Sequence, residues 1–454
     1  MTFLTRGGGQ FRIVKASKGV CVGILRTLSV VNRDGQTIMV ARALRTFAHS
    51  AASIVLAIYL DIRGFSLAEI GLFLTIGGFG AAAWALATGM VGDTVGRRKM
   101  LVVISLFTAA SGLSLALTPA YPILVVIGFI GAFTAMAGGS GATGPLEQAS
   151  LASTARSEHR TEAFALLGII GTVGVALGAL AAGIPDLLQG VFDVEEIRSY
   201  QVLFLAYSVV NLLAAGFYAS ISSEVEIKDV ATRWVNPFKL KSRRKIFTLA
   251  GLFSVDSFGT GLVAQSLAAY FFFTKFGIEP GSLGLMFFGS AVLTAVSMGV
   301  AVRLARRIGL VNTMVFTHIP SSMAMIAIPF VPFAWLAVSL WLIRSFFRQM
   351  DVPTSQSYTM SIVGPEERSA MASAGSVARS SGTAMGPSVA SILWTTGSST
   401  VPFVAGGVIK IICDLVLWRL FITVKPPEES AEAPPKPSQG VEPTSSSSST
   451  NRPD

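Results

Sequence analysis

From about residue 40 to residue 423 the chain is a succession of apolar runs, each near the length of one bilayer crossing, parted by short polar loops. A bilayer core about 30 Å thick takes roughly 20 apolar residues of helix. Inside lipid a helix satisfies its backbone N–H and C=O groups within its own segment, so such a chain folds as a set of spanning helices. Twelve spans are read, over residues 40–60, 66–91, 98–118, 121–147, 161–184, 200–221, 246–273, 280–302, 309–329, 333–356, 370–395 and 401–423. Only 13% of the residues are charged, against about 25% in a soluble domain, and the mean hydropathy is +0.63. The expectation is an all-α membrane protein with lipid as its main partner.

Charge sets the orientation. With both termini cytoplasmic, the inner loops hold Arg97, Arg98 and Lys99, then Arg156 and Arg160, a cluster from Lys228 to Lys245, then Arg303, Arg306 and Arg307, and Arg368. The outer loops hold only Arg63, Arg198 and Lys275. This is the asymmetry of the positive-inside rule, so the net charge of +10 reads as topology and not as nucleic-acid binding. The basic tail, residues 1–39, reads as disordered, with an organelle transit peptide as the alternative because it is rich in basic residues and poor in acid. The basic linker 222–245 divides six spans (40–221) from six (246–423) and suits an anionic leaflet. Residues 424–454 are rich in Ser and Pro and bury too little apolar surface to fold. Cys21 and Cys413 lie in the tail and in the last span, and no disulfide between them is expected.

The two sets of spans echo each other. At an offset of 208 residues, Pro145, Gln148, Glu158 and Arg160 fall on Pro353, Gln356, Glu366 and Arg368. At 211, Phe47 and Tyr59 fall on Phe258 and Tyr270. At 213, Gly71-Leu72 falls on Gly284-Leu285, and Gly96 on Gly309. Matches in chain order at three neighbouring offsets point to a parallel repeat of two six-helix units.

Between spans 2 and 3 the chain reads Gly89-Met-Val-Gly-Asp93-Thr-Val-Gly96-Arg97-Arg98-Lys99. Gly89 suits a close helix approach, Gly96 a tight turn, and the basic triplet a cytoplasmic loop. The segment resembles the G-x-x-x-D-x-x-G-R-R/K signature of the major facilitator superfamily, in the loop where that family carries it. The resemblance covers about residues 40–423. It implies twelve transmembrane helices in two pseudo-symmetric six-helix bundles around a central site. It also implies that Asp93 faces the start of the eleventh helix near Ala370 and Ala372 and helps close the cytoplasmic side, where a helix N-terminus favours an anion. The corresponding second-half loop has Arg306 near the acid's place and carries no such role. The proline of the drug exporters' helix 5 motif is missing from Gly174-Val-Ala-Leu-Gly178-Ala, and Gly382-Thr-Ala-Met-Gly386-Pro387 stands in helix 11 instead. These departures count against a drug–proton antiporter.

Ionisable residues within spans are costly and mark pathways. Asp256 lies about ten residues into span 7, and its repeat partner is Arg45 in span 1. The expected substrate and proton pathway is therefore Arg45, His49, Asp256, Gln265, Arg344 and Arg348, with Arg45 as counter-charge to Asp256. His49 follows Arg45 by one turn on the same face. Arg344 and Arg348 also share a face and suit an anionic group, which a guanidinium grips as a fork. Glu147, Gln148, Asp351 and Gln356 are polar groups at the cytoplasmic ends of spans 4 and 10. Glu147 and Asp351 are expected to pair with Arg344, Arg348 or the basic loops. Gly168, Gly171, Gly174 and Gly178 read as helix contacts, and Pro145, Pro320, Pro353 and Pro387 as kinks or breaks.

No P-loop, Gly-x-Ser-x-Gly, HExxH or Cys–His metal spacing is present in the sequence, so no enzyme, cofactor or metal is expected. The reading is a monomeric secondary transporter of a small organic molecule, working by alternating access, with a proton as coupling ion. An organic-anion importer built on Arg344 and Arg348 is the alternative, and a sensor on the same scaffold is a third. The expected address is the plasma membrane, or an organelle membrane if the tail is a transit peptide.

Overall fold

A computed structural model describes residues 31–136, 142–154, 160–222, 225, 242–350, 355, 358–359 and 367–421. Residues 1–30 of the basic tail, most of the linker and the Ser/Pro-rich tail lie outside these residues, as do Asp351, Pro353 and Gln356; residues 33–39, expected to be disordered, are instead the first turns of a helix whose Ile38 and Met39 are buried. The first group of helices is α1 (Arg33–Ile62), α2 (Leu67–Val95), α3 (Arg97–Leu117), α4 (Tyr121–Ile130), α5 (Gly144–Thr154), α6 (Arg160–Ala181), α7 (Ile184–Phe192) and α8 (Glu196–Ala219). The second is α9 (Arg243–Leu262), α10 (Gln265–Phe276), α11 (Pro280–Ile308), α12 (Leu310–Ala327), α13 (Ala334–Arg348), α14 (Arg368–Thr396) and α15 (Thr400–Phe421). Among the described residues, nine segments are long and apolar enough to cross a membrane unaided. The other expected crossings also hold helix, but α4 and α13 are short and α14 is rich in serine and glycine.

The packing repeats as the sequence does. In the first group α1 packs on α6 and α8, and α3 on α8; in the second α9 packs on α14 and α15, and α12 on α15. Across the groups α2 packs on α14, the counterpart contact joins α6 to α11, and α1 meets α10. Gly96 and Gly309, matched in the sequence, each end one helix and begin the next. Their φ angles are +104° and +83° with extended ψ, a region nearly confined to glycine that costs another residue about 1–3 kcal/mol.

Two expected spans are not single helices. Span 4 ends as helix at Ile130, runs without helix through Gly131–Met136 and resumes as α5. Span 7 is interrupted at Val263 and Ala264. Three of the four prolines expected to kink or break helices are in described segments. Pro320 and Pro387 sit inside helices that continue past them, and Pro145 lies at the start of α5.

The two groups touch at the end of the molecule away from the Gly96 turn. Ser388 Oγ lies 2.8 Å from Thr75 Oγ1, Asp186 Oδ2 accepts the Gly281 N–H at 2.6 Å, and Ser266 Oγ donates to the Ser53 carbonyl at 2.5 Å. Toward the Gly96 end, a Cβ placed on Gly89, Gly168 or Gly299 would meet nothing within 4 Å among the described residues. The close approach expected at Gly89 and Gly168 is therefore absent here, because the groups are apart at that end. Gly174 and Gly178 do lie against the backbone of α1, as Gly382 and Gly386 lie against α9.

Candidate functional site: a cavity between two charged networks

Where the groups part, a cavity runs between α6 and α11. Arg42, Ser50, Thr172 and Val175 line it on one side, and Gln265, Ser290, Trp341 and Arg348 on the other. A second lobe between α2 and α14 is lined by Thr134, Ala135, Ala264, Arg379 and Thr383. Met136 borders both lobes. The two broken spans meet here, since the Ser266 N–H donates to the Ala135 carbonyl at 3.2 Å. Non-helical backbone is tolerated at membrane depth where it lines a cavity, and discontinuous helices are where transporters of this architecture place their sites.

Behind the first wall lies a network centred on Glu147, which is fully buried. Its carboxylate accepts from Arg42 Nη1 at 2.5 Å, Arg45 Nη2 at 3.0 Å, Thr143 Oγ1 at 2.8 Å and Tyr218 Oη at 2.7 Å. One carboxylate thus serves two guanidinium groups, which leaves one positive charge over. Charge-assisted bonds of this kind are the strong ones. Arg45 was expected opposite Asp256, and Glu147 opposite Arg344, Arg348 or the basic loops. The structure instead pairs Arg45 and Glu147 with each other, because both face the interior of the first group. His49 is held by Thr134 Oγ1 at 2.9 Å and the Met136 carbonyl at 3.2 Å, beside the Phe133 ring.

Behind the second wall lies another network. Asp256 Oδ1 accepts from Lys410 Nζ at 2.6 Å, and Lys410 also reaches Thr260 Oγ1 at 3.1 Å. His318 Nδ1 lies 3.2 Å from Asp414 Oδ1, and His318 Nε2 lies 3.3 Å from the Arg348 carbonyl. Oxygen and nitrogen atoms of Asp256, His318 and Asp414 fall within 4.8 Å of one another. One of these three groups, Asp256, is already paired with the Lys410 ammonium. Arg344 is 3% exposed and lies 4.5 Å from the centre of the Trp341 ring. No carboxylate among the described residues pairs with it.

The remaining expected residues are scattered. Gln265 lines the cavity. Gln148 is exposed on α5. In the glycine–arginine segment, Arg97 is 7% exposed and donates to the Ala149 carbonyl at 2.9 Å, tying the Gly96 turn to α5, while Arg98 is half-buried. The side chain of Asp93 lies outside the described residues. Sequence reasoning missed Arg42, Tyr218, His318, Arg379, Lys410 and Asp414. The rule that selects Asp256 selects Lys410 and Asp414 equally, since both are charged and lie inside the last span.

Paired groups of spanning helices around an intramembrane cavity define a membrane transport protein. Residues 38–343 and 249–450 match the Major Facilitator Superfamily. An uncharacterized membrane protein of Saccharomyces cerevisiae, YJR124C, is 23% identical over 426 residues, spanning 87% of this chain and 95% of that protein. The nucleoside transporter NupG has a similar structure, with a TM-score of 0.68 at 14% identity over 86% of this chain and 99% of that one. So has the D-xylose–proton symporter, with a TM-score of 0.66 at 12% identity over 85% and 97%. A bacterial homolog of the human lysosomal transporter Spinster, inward-facing and unoccupied, gives a TM-score of 0.67 at 13% identity over 86% and 97%. This chain belongs to the Major Facilitator Superfamily. It is an integral membrane transporter and not an enzyme.

Proposed function

We propose that the protein carries a small organic compound bearing an anionic group across its membrane by alternating access, with a proton as the coupling ion. The observation that carries this reading is positive charge at and behind both walls of the cavity, which Arg42 lines on one side and Arg348 on the other. Arg42 and Arg45 share Glu147 on one side. On the other, Arg344 is buried without a carboxylate partner among the described residues. An unbalanced guanidinium in low dielectric is costly, and a carboxylate or phosphate entering between the walls offsets that cost with forked hydrogen bonds. Gln265, Ser290 and Thr172 supply neutral hydrogen-bonding groups for the rest of such a molecule. Parted at one end and joined at the other, the two groups suit a rocking motion about the cavity. The intramembrane acids supply seats for a proton.

The test is flux into liposomes holding the purified protein, run over small organic anions and neutral compounds of similar size, with and without a pH gradient. The reading expects anions to accumulate under a gradient, and Arg344→Ala to depress anion flux far more than neutral flux. Equal loss for both classes would remove the anionic substrate. Accumulation indifferent to the gradient would remove the proton.

A further inference from the structure

A small pocket lies behind α9, apart from the cavity between the two groups. It is lined by Phe253, Asp256, His318, Arg379, Cys413 and Asp414, among others. Lys410 and Asp414 are four residues apart on α15 and share a face. Lys410 and Asp256 neutralise each other at 2.6 Å. What remains is the couple of His318 and Asp414, 3.2 Å apart with side chains 7% and 9% exposed. Asp414 Oδ2 has no hydrogen-bond partner among the described residues. A buried carboxylate oxygen without a partner is expensive when ionised.

The couple is neutral when it holds one proton, whichever partner carries it, and bears a net negative charge when it holds none. We infer that the coupling proton sits on the His318–Asp414 couple, in this pocket behind the substrate cavity. The inference rests on the proton-coupled reading above and gives that proton a site.

The groups around Asp414 come from every helix packed there. His318 is on α12, Asp256 on α9 and Arg379 on α14, while Lys410 and Cys413 share α15 with it. Arg348 and Arg344 stand on α13, and the Arg348 carbonyl faces His318. Arg379, Lys410 and Asp256 set charges of both signs around the couple. Such opposed influences let one proton bind and leave as the surroundings shift. Arg379 also lines the α2–α14 lobe of the cavity. It therefore stands between pocket and cavity, where movement of α14 against α9 would open or shut the proton's route. Two coupled groups titrate as a pair, so the proton belongs to the couple and not to either residue alone.

The test needs no substrate. Infrared difference spectra of the purified full chain in lipid, taken between high and low pH, report the carbonyl stretch of a protonated carboxyl group. The expected result is a band that disappears in Asp414→Asn and changes frequency in His318→Gln, each variant checked for a monodisperse, helical state. Should Asp414→Asn fail to fold, Asp414→Glu must move the band instead. A band untouched by these substitutions overturns the inference. So does a band abolished at constant pH by sodium or zinc ions, which would make the pocket a metal-cation site. Wild-type flux under a pH gradient separates the two claims. Gradient-blind flux beside a band lost in Asp414→Asn sinks the coupling and keeps the proton site. Gradient-driven flux beside a band indifferent to Asp414 sinks the site and keeps the coupling.

Discussion

Lys410 Nζ lies 2.6 Å from Asp256 Oδ1 and pins α15 to α9 inside the membrane. The lysine side chain is 5% exposed and the aspartate 26%. Removing one partner of a buried pair costs about 3–5 kcal/mol, because the other charge is left unpaired. The partial exposure of Asp256 puts this pair toward the lower end. Asp256→Asn is expected to lower the melting temperature of the detergent-purified protein more than the double variant Asp256→Asn/Lys410→Met. A double-mutant cycle should return a coupling within the range of about 0.5–3 kcal/mol seen for contacting residues. A coupling of zero would mean that the pair does not hold the helices together.

Glu147 is the more exacting case. It accepts hydrogen bonds from two arginines and also from Tyr218 and Thr143. Glu147→Gln keeps the shape but leaves two guanidinium groups without a counter-charge. The expected loss is about 3–5 kcal/mol, seen as poor recovery and a depressed melting temperature. Tyr218→Phe removes one hydrogen bond to a charged group and should cost about 1.5–3 kcal/mol. The order of the two variants is the check, since a purely steric role for Glu147 would leave Gln at or above the Tyr218 variant in stability.

The turn between α2 and α3 makes a third prediction. Gly96 holds φ at +104° and Gly309, its repeat partner, at +83°. Alanine at either site strains the backbone by about 1–3 kcal/mol. Gly96→Ala and Gly309→Ala should each lower thermal stability by similar amounts. Gly89→Ala should be neutral, because open space surrounds that position. A Gly89 penalty as large as that of Gly96 would show that the helix ends come together in the dominant state in solution.

These turns were legible in the sequence because a glycine spaced identically in both halves has few structural explanations. The spans were legible for a similar reason, since a bilayer imposes a length that no soluble fold demands. The break in span 4 was not. Residues 122–146 are apolar or small throughout, and hydropathy does not distinguish a helix from backbone that lines a cavity. The charge pairing was hidden for a geometric reason. The repeat placed Arg45 and Asp256 at equivalent positions, but equivalence under a pseudo-twofold axis says nothing of contact. Each group turned out to bury its own pairs, Arg45 with Glu147 and Asp256 with Lys410. The signal for Arg42 was obscured by its nearness to the basic tail, although α1 begins at Arg33 and places it well inside the helix.

The contact between the two groups yields the last prediction. Ser388 Oγ and Thr75 Oγ1 are 2.8 Å apart, and the Ser388 N–H also donates to Thr75 Oγ1 at 2.9 Å. Gly71 and Ser391 pack together one turn away. These small residues let α2 and α14 lie close at the end opposite the Gly96 turn. If transport requires the groups to part here while closing at the other end, fixing this contact must stop it. Cysteines at Thr75 and Ser388, in a chain with Cys21→Ser and Cys413→Ala, are close enough for an oxidant or a short thiol cross-linker to join. Cross-linking should abolish net flux in liposomes, and reduction of the oxidised form should restore it. Cysteines at Gly168 and Gly299, on the paired helices α6 and α11 where the groups are apart, should stay unlinked in the resting protein and become linkable when a transported anion is added. Full flux through a chain locked at residues 75 and 388 would mean that these helices do not separate during transport, and the rocking description would have to be replaced by movement elsewhere in the molecule.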